Sequence, residues 1–210
     1  MNSDAFLVSF VATLFSMMNP IGNLGIFASL TESHSEQDSK KIALTCALTV
    51  GLTLISINWL GKYFLQFFGI SIPTLQAAGG IIVLIIGVNM LLNKTDHKTT
   101  DDELADSMDR HAIAVVPLGI PIVAGPGSMA AVLLATSQTS SDIMKLKMSF
   151  VILAISVFTG VLFYFSQPVS KLLGKSTMGV ITRIMGLVLS SIAMGLLADG
   201  LKALFPVLGH

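Results

Sequence analysis

Charged side chains are absent from five long stretches of the chain. No Asp, Glu, Lys or Arg occurs within residues 5–30, 42–60, 70–92, 112–141 and 148–168. Each stretch approaches or exceeds the roughly 20 residues with which a helix crosses about 30 Å of hydrocarbon. A sixth apolar segment, residues 178–205, carries Arg183, Asp199 and Lys202 near its ends. The pattern predicts an all-α membrane protein with six transmembrane helices.

The composition points the same way. The chain is 53% apolar and only 11% charged, whereas an ordinary soluble domain carries about a quarter charged residues. This composition makes the lipid bilayer the expected environment. The formal net charge is zero, so no nucleic-acid partner is expected. Cys46 is the only cysteine, which excludes an intrachain disulfide. Residues 1–4 contain no basic side chain, which predicts that the first span is retained rather than cleaved as a signal peptide.

One long polar segment divides the apolar spans into two sets of three. Residues 93–111 carry six acidic and three basic side chains, a balance typical of a solvated linker rather than of a lipid-binding segment. We therefore expect a first three-helix unit at residues 1–92, a cytoplasmic linker at 93–111 and a second three-helix unit at 112–210. Together the two units form one membrane domain.

Lysine and arginine are distributed unevenly between the two sides of the predicted bundle. Short cytoplasmic loops are enriched in these residues, so the richer side is predicted to be cytoplasmic and both termini to lie outside. Seven basic residues fall on that side and four on the other. The first set is Lys40, Lys41, Lys94, Lys98, Arg110, Lys171 and Lys175, and the second is Lys62, Lys145, Lys147 and Lys202.

The two three-helix units can be overlaid at an offset of 106 residues. Pro20 then falls on Pro126, Ser35 on Ser141, and Gly80 on Gly186. Because each unit contains an odd number of spans, two such repeats must be inverted relative to one another. The prediction is a pair of inverted three-helix repeats, as in many secondary transporters.

The first and fourth spans each contain a helix-breaking motif, and the two motifs coincide at that offset. The first is Asn19-Pro20-Ile21-Gly22-Asn23, and the second is Gly125-Pro126-Gly127-Ser128, preceded by Pro117 and Pro121. Proline removes a backbone donor and glycine admits conformations that other residues avoid. In hydrocarbon the freed backbone groups must face protein or a wet cavity. Both helices are therefore predicted to be broken within the membrane.

Such breaks can bind a small zwitterion. The N-terminus of a restarted half-helix presents N–H groups and a positive dipole end, which suit a carboxylate. Carbonyl groups at the end of the preceding half-helix suit an ammonium group. The alternative is that the two breaks are proline kinks that only improve packing. The candidate substrate-binding residues are Asn19, Pro20, Gly22, Asn23, Gly125, Pro126, Gly127 and Ser128.

These motifs, together with Gly69-Ile70-Ser71-Ile72, Ala78-Gly79-Gly80 and Arg183-Ile184-Met185-Gly186, resemble the MarC/SnatA family over nearly the whole chain. The resemblance implies a six-span protein of the prokaryotic inner membrane. Part of that family is associated with small neutral amino acids such as glycine and alanine, driven by ion gradients. Another part carries a multiple-antibiotic-resistance name. The resemblance also implies a substrate site at the motifs of the first and fourth spans.

The chemistry of the spans favours transport over catalysis. No histidine or carboxylate lies deep in a span to activate a nucleophile, and the four histidines lack metal-ligand spacing. We expect no enzyme, no metal and no cofactor, with a proton or sodium gradient as the driving force. The leading hypothesis is a secondary transporter of small neutral amino acids. The alternatives are an exporter of other small metabolites or drugs, and an accessory membrane protein that transports nothing; an oligomer is possible in each case.

Overall fold

A computed structural model of the chain describes residues 3–31, 34–92, 123–139 and 141–205. Seven α-helices account for nearly all of these residues, and no β-strand occurs among them. The linker at 93–111, with Pro117 and Pro121, lies outside the described residues. The helices are α1 (Ser3–Met18), α2 (Pro20–Leu30), α3 (Glu36–Phe67), α4 (Ile72–Leu91), α5 (Pro126–Ser137), α6 (Asp142–Tyr164) and α7 (Ser166–Leu204).

Five segments of the described chain are long and apolar enough to cross a membrane. They are α1 with α2 (Ser3–Ala28), α3, α4, α6 and the part of α7 from Thr177 to Leu204. This result confirms an all-helical membrane protein. The fourth of the six predicted spans is described only from residue 123, where the short apolar helix α5 follows. Its first half falls outside the described residues, as does the predicted boundary at 93–111.

Local sequence signals explain where several helices begin and end. Ser35 and Ser141 are the N-caps of α3 and α6, and each accepts a hydrogen bond from a backbone N–H three residues later. Serine is favoured at this position because its hydroxyl satisfies an N–H group that has no partner within the helix. After α3, Gly69 adopts a positive φ of 64°, and its N–H donates to the Gln66 carbonyl at 3.2 Å. This is a Schellman cap, which glycine forms without steric cost.

Helices α3 and α6 pack antiparallel, and a buried polar network joins them to α5. Asn58 on α3 is fully buried. Its Nδ2 donates to the Lys145 carbonyl at 2.9 Å and to Ser149 Oγ at 3.0 Å, and its Oδ1 accepts from Thr136 Oγ1 at 2.9 Å. The amide therefore connects three helices.

Replacement of Asn58 by alanine should destabilise the protein by about 1–2 kcal/mol, because it leaves buried partners on α5 and α6 unsatisfied. The smaller values measured for hydrogen bonds within membranes, about 0.6 kcal/mol on average, set the lower limit. Unfolding in detergent micelles measures the change. Asn89→Ala, at an exposed position on α4, is the matched control and should change stability by less than about 0.5 kcal/mol. Equal effects of the two substitutions would contradict the bridging role.

Helices α4 and α7 also run antiparallel, and they approach so closely that side chains are excluded from parts of their contact. A Cβ atom added to Gly80 would lie 2.8 Å from the Leu197 nitrogen and 2.9 Å from the Ala193 oxygen. One added to Gly186 would lie 2.8 Å from the Gly87 oxygen. Small residues at these positions allow helix backbones to meet.

The buried apolar residues form two clusters. The larger cluster draws mainly on α1, α2, α3, α5 and α6. The smaller cluster combines residues of α4 and α7 with Met17 from α1 and Ala131 from α5. The α4–α7 pair is therefore a packing unit beside the rest of the bundle, and the two broken helices lie at the boundary between the clusters.

Candidate functional site

The break in the first span is confined to one residue, Asn19, which separates α1 from α2. The conformation of a right-handed helix is disfavoured for a residue that precedes proline, and Asn19 instead adopts a positive φ of 45°. Asparagine tolerates this left-handed region better than most residues. Its Oδ1 accepts a hydrogen bond from the Gly22 N–H at 3.2 Å. Asn19 thus ends one helix and caps the next.

Asn23 completes this break from the other side. Its Nδ2 donates to the Met18 carbonyl at 3.0 Å, a group that a regular helix would bond to the backbone N–H of residue 22. The side chains of Asn19 and Asn23 therefore replace the backbone bond that the break removes. The Gly22 N–H and the Met18 carbonyl thus each have a hydrogen-bond partner within the break.

The second break is built differently. Gly125 precedes α5 in an extended conformation and supplies no side-chain cap, and Pro126 has no N–H. Ser128 Oγ turns back to the loop, where it lies 3.1 Å from the Val123 oxygen and 3.0 Å from the Gly125 oxygen. The hydroxyl proton is therefore used within the break, and Ser128 can offer a ligand only its oxygen as an acceptor.

The start of α5 differs from the first break in the backbone N–H groups that it can present to a ligand. The N–H groups in the first turn of a helix have no partner within the helix. The N-cap residue of α5 is Gly125, which has no side chain to bind the N–H groups of Gly127 and Ser128. The positive end of the helix dipole lies at the same place. Of the two breaks, the second therefore offers the better backbone environment for a carboxylate.

The two breaks meet at one cavity near the middle of the bundle. The space open to the centre of a water molecule is about 30 Å³, more than the 10–15 Å³ or so that one water needs. An amino acid would therefore require the surrounding helices to separate. Among the described residues, Asn19 Nδ2 has one acceptor, the weakly accepting Met90 Sδ at 3.6 Å. The cavity is lined by Met17, Asn19, Asn23, Val83, Ile86, Met90, Gly125, Gly127, Ser128 and Leu189.

Five of the eight predicted site residues line this cavity, and three do not. The five are Asn19, Asn23, Gly125, Gly127 and Ser128. Pro20 and Pro126 begin helices α2 and α5, and Gly22 binds the Asn19 side chain through its N–H. These three residues shape the breaks without lining the cavity.

Sequence reasoning missed the other half of the lining. Met17, Val83, Ile86, Met90 and Leu189 form an apolar wall beside the breaks. These residues resemble every other apolar residue in a transmembrane span, so that no signal in a single sequence marks them. Arg183 and Asp199, two of the three charged residues of the sixth span, are exposed on α7 and do not line the cavity.

Comparison with known proteins identifies the family. Residues 5–205 match the family described as MarC family integral membrane protein. The chain is 37% identical to the UPF0056 membrane protein YvbG of Bacillus subtilis, over 97% of this chain and 98% of the relative. It is 34% identical to the UPF0056 membrane protein YhcE of Escherichia coli, over 94% and 92%. A UPF0056 membrane protein of the archaeon Archaeoglobus fulgidus is also 34% identical, over 93% and 92%. No solved structure matches the chain. The chain therefore belongs to the MarC family of integral membrane proteins.

Proposed function

We propose that this protein is a secondary transporter that moves small neutral amino acids, of the size of glycine or alanine, across the plasma membrane by alternating access. The observation that carries the proposal is the meeting of two broken helices at one cavity in the middle of the bundle. Irregular backbone within a membrane is tolerated only where it is buried in protein or lines a cavity. Transporters place their substrates at such breaks.

The lining of the cavity suits a neutral zwitterion. None of its ten residues is charged, so that a charged side chain on the substrate would be buried without a partner. The uncapped start of α5 would hold the carboxylate, and carbonyl and amide oxygens of the breaks would hold the ammonium group. The site calls for no enzymatic chemistry and no cofactor, and a proton or sodium gradient would drive the transport.

An inverted repeat would bring these breaks together, and two observations support one. Ser35 and Ser141, which are equivalent at the 106-residue offset, are both N-caps. The contacts between α4 and α7 also follow the repeat. Gly80 contacts residues 193 and 197, and its equivalent in the second half, Gly186, contacts residues 87 and 91. The same offset relates 87 to 193 and 91 to 197. We propose that the two halves exchange roles when the site opens to opposite sides.

Transport can be measured in proteoliposomes that contain the purified full-length protein. Preloaded glycine or alanine should exchange with the labelled amino acid outside, whereas lysine and glutamate should exchange at least 100-fold more slowly. Burial of an unpaired charge costs several kcal/mol, and each 1.4 kcal/mol is a factor of about ten. Empty liposomes are the control. Exchange of lysine or glutamate as fast as alanine would refute the neutral-substrate proposal. Absence of any amino-acid exchange would favour the alternatives, an exporter of other metabolites or drugs or an accessory protein.

We also propose that both termini face the outside of the membrane. The contacts support the division of basic residues between the two sides. Lys40 Nζ lies 5.0 Å from the centre of the Tyr164 ring, and Gln167 donates to Ser39 at 3.3 Å. These contacts group the start of α3 with the start of α7. A C-terminal reporter that functions only in the cytoplasm should therefore be silent, and the same reporter inserted at residue 100 should be active. An active C-terminal reporter together with a silent reporter at residue 100 would show that the orientation is the opposite of the one proposed.

A further inference from the structure

We infer that Val83 on α4 and Leu189 on α7 set the largest side chain that the cavity accepts. This inference rests on the proposed transport of amino acids and names the residues that would determine its specificity. The cavity has two unlike sides. The breaks contribute polar and backbone groups, and α4 and α7 contribute an apolar wall. A zwitterion held by the breaks would point its side chain at that wall.

Val83 lies directly against the second break. A Cβ atom added to Gly127 would fall on the Val83 side chain, with Met17 Sδ at 3.2 Å as the next neighbour. The Val83 methyl groups therefore occupy the space beside the uncapped N–H groups of α5. A substrate whose carboxylate bound those groups would have its side chain close to Val83.

The wall residues differ in how readily they can move aside. Met17 and Met90 are unbranched, with three rotatable bonds each, and can adapt to a larger ligand. Ile86 is 39% exposed, so that its side chain is only partly enclosed by the helices around it. Val83 and Leu189 are each only 3% exposed, which encloses both side chains. Val83 is also β-branched and therefore stiff about its first torsion. Val83 and Leu189 are thus the fixed parts of the wall.

Selectivity in proteoliposomes tests the inference. The full-length protein and its Val83→Ala variant are compared for exchange of glycine, alanine, valine and leucine. Val50→Ala is the matched control, since Val50 is fully buried on α3 and does not line the cavity. One or two methyl groups in an apolar pocket change discrimination by about tenfold or more. Val83→Ala should therefore raise the ratio of valine to alanine exchange about tenfold, whereas Val50→Ala should leave that ratio unchanged.

A second variant distinguishes a change in specificity from a loss of folding. Leu189→Val changes the wall from α7 with a smaller change in volume, and it should shift the ratio in the same direction. If the unaltered protein exchanges alanine and neither wall variant changes the ratio, the inference is refuted and the proposed function stands. An equal shift from Val50→Ala would also refute it. If the unaltered protein exchanges no amino acid, both the proposed function and the inference that rests on it are refuted.

Discussion

Replacement of Gly127 by valine is expected to abolish transport while the protein still inserts in the membrane, with some loss of stability from the overlap with Val83. The new side chain would overlap the place of Val83 and extend beside the uncapped start of α5. It would keep a carboxylate away from the backbone N–H groups of the second break. Each hydrogen bond to a charged group contributes about 1.5–3 kcal/mol, so that loss of one or two should lower affinity at least tenfold. Exchange in proteoliposomes and binding by thermal stabilisation measure the two effects.

Gly179→Val is the matched control for this prediction. Gly179 lies on α7, where an added Cβ meets no atom within 4 Å, and it does not line the cavity. That variant should transport normally. Gly127→Ala should fall between the control and Gly127→Val, because it adds a single methyl group. Normal transport by Gly127→Val would mean that the breaks are only kinks that improve packing.

The largest effect on stability is expected from Gly186→Val. An added Cβ would lie 2.8 Å from the Gly87 oxygen and 3.0 Å from the Leu91 nitrogen, both of which belong to the backbone of α4. A side chain can rotate away from such an overlap, but a helix backbone can yield only if the whole helix moves. Overpacking of a core costs about 1–3 kcal/mol and occasionally more. We expect about 3 kcal/mol or more here, together with separation of α4 from α7.

Thermal unfolding and size-exclusion profiles in detergent measure this loss. Gly195→Val, on the same helix, is the control, because an added Cβ there has no atom within 4 Å and the residue is exposed. The control should unfold at nearly the same temperature as the unaltered protein. Equal stability of the two variants would show that α4 and α7 do not depend on backbone contact at Gly186.

Glycine illustrates how far a single sequence can predict packing. Glycines within spans, such as those of the third and sixth, are expected to permit close contact between helices. Gly80, Gly87 and Gly186 do so, whereas Gly179 and Gly195 have open space around them. A glycine in the sequence shows that another helix can approach the backbone at that position. The rotation of each helix about its own axis decides whether another helix does so. Rotation depends on contacts between residues that are far apart in the sequence.

The sequence by itself determined five membrane-spanning segments and the positions of the two breaks. These features depend on local physics: the length of an apolar run and the missing donor of proline. Only the tertiary structure decided what the breaks do with their polar groups. Asn19 and Asn23 satisfy the first break internally, whereas no side chain in the described part of the chain caps the start of α5. The apolar wall of Val83, Met90 and Leu189 was also beyond prediction, since it exists only where α4 and α7 pack against the breaks.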